Sequence, residues 1–106
     1  MQTSSKKESF GEIIRGHTPV LVDFTATWCG PCRMMKPILE QLHQRMGDRV
    51  RIIKIDIDQS PAAAQAFNVS SVPTLILFQE GQQKWRQSGV IQAAALERII
   101  EQNTTK

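Results

Sequence analysis

The chain has 106 residues, of which 41% are hydrophobic and 22% charged, with a net charge of +3. That length suits one domain with its own core, residues 1–106, and leaves no room for a second. Charge is interspersed and the longest basic run is Lys6-Lys7, which argues against a nucleic-acid partner. No run approaches the ~18 apolar residues of a membrane span.

Met1 to Ser9 is polar and carries no apolar stretch resembling a signal peptide, so the default expectation is a cytoplasmic protein. Phe10 to Arg15 has apolar residues at 10, 13 and 14, a short helical pattern. Pro19 introduces Val20-Leu21-Val22-Asp23-Phe24, apolar on both faces apart from Asp23, as in a central strand covered on both sides. Pro31 to Met46 reads as a helix, with Met35, Leu39, Leu42 and Met46 on one face. Pro31 suits the first turn, Pro37 should kink the interior, and Gly47 is the expected stop. Val50 to Ile57 is a second strand. Ser60, as N-cap, and Pro61 open a short helix through Phe67. Thr74 to Phe78 is a third strand, Glu80-Gly81 a turn, and Lys84 to Ser88 an antiparallel return. Gln92 to Gln102 is a final helix with Ala93, Leu96 and Ile100 inward. The order predicts an α/β fold, a central mixed sheet flanked by helices on both faces. Strands joined through helices are expected to pair in parallel with right-handed crossovers, and the terminal hairpin adds an antiparallel edge.

The chemistry concentrates at Trp28-Cys29-Gly30-Pro31-Cys32. In a chain with no signal-like start, two cysteines at this spacing indicate redox chemistry or a metal. Residues three apart at a helix start lie close enough to bond. Cys29 precedes the first turn, where unpaired N–H groups and the helix dipole favour a thiolate, and its pKa should fall below the ~8.5 of a free thiol. The thiolate is the attacking species in disulfide exchange. Cys32, one turn in, is expected to be more shielded and protonated. Cys29 would attack a substrate disulfide, and Cys32 would then resolve the mixed disulfide. A zinc site needs four ligands. The only histidines, His17 and His43, bracket the motif and read as surface residues, so no metal is expected. Asp23 stands in an apolar strand, where an unpaired carboxylate is costly and its pKa should rise. An edge position or a hidden salt bridge would make it ordinary. A buried acid beside Cys32 would make it a proton acceptor.

The string from Val22 to Cys32, together with Pro37, Lys54-Ile55-Asp56, Val72-Pro73-Thr74, Gly81 and Gly89, resembles thioredoxins from about Phe10 onward. The resemblance implies the thioredoxin fold and a protein-disulfide reductase. It places a buried aspartate at Asp23 and a lysine near it at Lys54, with a partly buried Asp23–Lys54 interaction; by its own character Lys54 would instead reach solvent along its stem. It implies a cis Val72–Pro73 bond beside the cysteines, with the Val72 backbone free to pair with an extended peptide. Gly89 and Val90 match a further substrate-facing loop, and Ile57 to Gln59 border the same surface. Trp28, core or rim by its own character, would form an apolar floor. Gly30-Pro31 accompanies reducing members of the family. The implied partners are disulfide-containing proteins and a thioredoxin reductase, a flavoprotein using NADPH; the implied state is a monomer. The chain lacks a Gly-rich phosphate loop, so no cofactor of its own is expected. Thr25 and Thr27 depart from the family's usual residues. Trp85 stands where smaller ones are usual, as either a packing anchor or an exposed contact. The polar segment 1–8 replaces an apolar opening strand, which is expected to be frayed or absent. A binding subunit or holdase with secondary redox activity, and an oxidase or isomerase, are the alternatives.

Overall fold

The computed structural model describes residues 9–106; the expectation for segment 1–8 lies outside them. In chain order the elements are α1 (Phe10–Ile14), β1 (Val20–Thr25), α2 (Gly30–Met46), β2 (Arg51–Asp56), α3 (Pro61–Ala66), β3 (Thr74–Gln79), β4 (Gln82–Ser88) and α4 (Ala93–Asn103), with a 3-10 turn at Gly47–Arg49. α1 begins with a reciprocal cap in which Ser9 Oγ accepts the Glu12 N–H and Glu12 accepts the Ser9 N–H, removing two orphan donors. α2 passes through Pro37 to Met46 and stops at Gly47, whose φ of 55° suits a residue without Cβ.

The sheet order is β2-β1-β3-β4. β1 pairs with β2 in parallel, but β3 runs antiparallel to β1, Phe24 lying opposite Thr74. This corrects the expectation that each helical connection joins a parallel pair. The physical reason is the connection through α3. It leaves the C-terminal end of β2 and enters β3 at the same end of the sheet, so it need not return along the sheet's length. The start of β3 therefore lies beside the end of β1, where the cysteine motif begins.

Side-chain alternation divides the core in two. Leu21, Leu75 and Leu77 face α2 and α4, packing with Met35, Leu42, Leu96 and Ile100. Val20, Val22, Phe24, Ile76 and Phe78 face α1 and α3. On that second face the rings of Phe10, Phe67 and Phe78 meet edge to face at 5.1–6.1 Å, a preferred arrangement for aromatic quadrupoles. Trp85 is half-buried against the α2–α4 core, so it is a packing anchor. β4 begins at Gln82, two residues before the expected start, with a register irregularity at Leu77/Phe78. Ser60 occupies the N-cap position of α3 but its hydroxyl makes no capping bond. Its ψ of 62° departs from the extended geometry that aims a cap at the first turn.

Candidate active site

β1 ends at Thr25 and a short turn carries the chain to Cys29, the N-cap of α2. The Cys29 sulfur accepts the Cys32 N–H at 3.2 Å, so one of the helix's orphan donors points at the leading sulfur. The two cysteines form a disulfide with Cα atoms 5.3 Å apart. Both are 5% exposed, which corrects the expectation that Cys32 is the more shielded. In this state the bond seats both side chains against Ala26, with Ile57 and Val72 packed beside them.

The peptide bond between Val72 and Pro73 is cis, as the family resemblance implied. The Cys29 sulfur lies 3.6 Å from the Val72 carbonyl oxygen. Hydroxyls brace this loop: Thr74 Oγ1 donates to the Ser71 carbonyl at 2.7 Å, and Ser88 Oγ lies 3.0 Å from Thr74 Oγ1 and 3.2 Å from Ser71 Oγ. The Gly89 N–H donates to the Pro73 carbonyl at 2.9 Å, and the Gly89 φ of 99° is a conformation that favours glycine. Val90, half-buried, packs on the α2–α4 core. The structure thus brings Cys29, Val72, Pro73 and Gly89 together.

Trp28 is 66% exposed, so it belongs to the surface rather than the core. Its indole N–H donates to Asp58 Oδ2 at 2.9 Å. Asp56 Oδ1 in turn accepts the N–H groups of Asp58 and Gln59. Sequence reasoning placed Ile57 to Gln59 on this border but missed Asp58 as the tryptophan's partner. Gly30 and Pro31 form the first turn of α2. His17 is exposed and lies 2.6 Å from Glu80.

Asp23 is 1% exposed in the middle strand pair, so it holds no edge position. Alternation with Leu21 directs it to the α2 side of the sheet. It lines a cavity of about 270 Å³ together with Cys32, Lys54, Thr25, Thr27, Arg33 and Lys36. Among the described residues three polar ones are buried: Asp23, Thr74 and Gln79. Among the described residues, Asp23 Oδ1 is the single buried side-chain polar atom without a hydrogen-bond partner. Burial pushes the Asp23 carboxyl up to about 6, with the Lys54 charge acting in the opposite direction.

Lys54 pairs with Asp23 across the β1–β2 ladder but is exposed. No salt bridge joins the two among the described residues, so the hidden ion pair and the partly buried interaction are both corrected. β2 is an edge strand, and the lysine stem carries its charge to water. The influence that remains is a through-space one. Lys54→Ala removes the charge that opposes burial, so Asp23 should titrate above its present midpoint of about 6. A carboxyl NMR titration with an unmoved midpoint would break the link.

The thioredoxin family model matches residues 2–102. A thioredoxin-like protein of Synechocystis sp. is 47% identical over 97 residues, covering 91% of this chain and 92% of that protein. A bifunctional thioredoxin reductase/thioredoxin of Mycobacterium leprae is 45% identical over 91 residues, covering 86% of this chain and 20% of that protein. A thioredoxin variant from Halobacterium salinarum superimposes with a TM-score of 0.80 at 38% identity, covering 91% of this chain and 83% of that one. With the disulfide of Cys29 and Cys32 at a helix start beside a cis proline, these matches converge: the chain belongs to the thioredoxin family and is a disulfide reductase with that pair as its redox centre.

Proposed function

We propose a division of labour within the redox centre. Cys29, as thiolate, attacks one sulfur of a substrate disulfide. The second substrate sulfur leaves as a thiolate and takes a proton from solvent. Cys32 then gives its proton to the Asp23 carboxylate, directly or across a water in their shared cavity, and attacks the Cys29 sulfur. The substrate's remaining thiolate leaves, and the protein is left as the disulfide seen in this structure. Lys54 adjusts the proton affinity of Asp23 from its exposed position on β2.

Substrate is held in extended form along Val72, whose carbonyl lies beside the Cys29 sulfur. Main-chain pairing depends little on side chains, which suits an enzyme with many protein substrates. Trp28, Gly30 and Pro31 form one wall of the groove, and Gly89 and Val90 the other. The observation that carries this reading is the common cavity of Asp23 and Cys32, with an unpartnered buried carboxylate oxygen.

The dithiol is restored by a flavoprotein reductase that draws electrons from NADPH; the natural fusion in the Mycobacterium leprae relative supports this partner. The domain acts as a monomer in a reducing compartment such as the cytoplasm. Among the described residues no helix is long and apolar enough to cross a membrane. The test is reduction of insulin disulfides with NADPH, with and without a thioredoxin reductase. Turnover should require both. Retention of biological function by a variant with both cysteines replaced by serine would favour the binding-subunit alternative instead.

A further inference from the structure

The cavity that joins Asp23 to Cys32 carries more positive charge than its own chemistry uses. Arg33 and Lys36 project from α2 and Lys54 from β2, all three exposed, around one buried carboxylate. Only Lys54 among them acts on the Asp23 titration. Arg33 spends one N–H on the Thr27 carbonyl at 3.2 Å, and among the described residues it forms no salt bridge. Lys36 has no salt-bridge or hydrogen-bond partner among the described residues. The two acids that follow Lys54 are engaged elsewhere, Asp56 with backbone N–H groups and Asp58 with Trp28.

The placement also runs against helix electrostatics. The first turn of α2 contains no acidic residue, and Arg33 and Lys36 both fall within its first two turns. A cation near the first turn of a helix opposes its dipole, an effect that fades beyond that turn and so bears on Arg33 rather than Lys36. Three residues apart, they share one face and point the same way. Dipole stabilisation of α2 does not account for Arg33, and an external anion would complement the exposed pair.

We propose that Arg33 and Lys36 form an acid-selective docking surface on the rim of the Cys32 cavity, favouring protein disulfides flanked by aspartate or glutamate. This rests on the reductase reading and names the substrate class within it. A rim of exposed charge acts mainly on encounter rate and partner choice, and its effect is screened by salt.

The test uses two disulfide-bonded peptides, identical except that residues flanking one cysteine are glutamate in the first and glutamine in the second. Second-order rates of their reduction by the dithiol protein are followed by stopped flow. At low ionic strength the acidic peptide should react about tenfold faster. That ratio should fall toward one at high salt and in Arg33→Gln/Lys36→Gln. Lys36→Glu, which sets one new carboxylate against Arg33 and Lys54, should lower the ratio further than Lys36→Gln does. Equal rates for the two peptides with the unmodified protein, or a ratio that survives in the double variant, would overturn the proposal while leaving the reductase reading intact. A fall shared equally by both peptides would also overturn it, because it would mean that the cations act only on the Cys29 sulfur or on the fold. Failure to reduce either peptide would sink the reductase reading, and the proposal with it.

Discussion

Replacing Cys32 with serine should leave a protein that attacks a substrate disulfide once and stays attached to it. The leading sulfur keeps its place at the head of α2, so the first exchange proceeds. The second step loses a nucleophile held within bonding distance, its Cα only 5.3 Å from that of Cys29. Intramolecular partners so placed act at effective concentrations of about 10⁵ M or more, far beyond any free thiol. Turnover should fall by at least about 10³-fold, and the mixed disulfide should appear in intact mass spectra as protein plus substrate. Cys29→Ser should lose turnover as completely but trap nothing, since a serine hydroxyl without a base is a weak nucleophile. The asymmetry is the decisive result. Equal trapping by both variants would show that either sulfur can lead, and would remove the significance of the helix cap.

The second large effect concerns Asp23. Its carboxyl ionises at about 6 in the folded protein, against an ordinary value of 3.8. A raised acid pKa means that the folded state binds the proton more tightly than the unfolded chain. The contribution of Asp23 to stability is therefore most favourable below about pH 4, declines as pH rises to about 6, and is level above that. The difference amounts to the order of 3 kcal/mol at pH 7. Asp23→Asn substitutes a neutral group of the same shape and should gain about 2 kcal/mol at pH 7, and almost nothing at pH 3. Denaturant midpoints at the two pH values check this. A gain independent of pH would mean that ionisation is not its source. The same variant should turn over about tenfold or more slowly at neutral pH, because an amide cannot take the Cys32 proton. Greater stability with lower activity separates this residue from one that merely packs. Unchanged turnover with purified reductase would end its proposed role.

Much of this was legible in the chain because it depends on local chemistry. The strand Val20–Thr25 announced itself by apolar residues on both faces, and Asp23 stood out because nothing in such a strand excuses a carboxylate. The helix after Cys29 was readable from its buried stripe and from Pro31 in the first turn. The direction of β3 was not readable. It is decided by which end of the sheet a connection leaves and re-enters, and residues 57–73 carry no mark of that. The pairing of Trp28 with Asp58 joins positions 30 apart, and no spacing rule links a tryptophan to an acid in another loop. Lys54 had two readings, a partly buried partner of Asp23 or a lysine reaching solvent along its stem, and the second holds because β2 is an edge, a property of the whole sheet. The rim of Arg33 and Lys36 was likewise hidden, since each looked like ordinary solvated charge until α2 was laid against β2.

Gln79 has a consequence for how the molecule can be handled. It lies at the end of β3 remote from Pro73, and its buried amide donates to the carbonyls of His17 and Thr105 while its oxygen accepts the Thr105 N–H. The tail is thereby moored at the pole opposite the thiols. A fluorophore, surface linkage or second protein attached after Lys106 would hang from that far side, leaving incoming substrates an unobstructed approach.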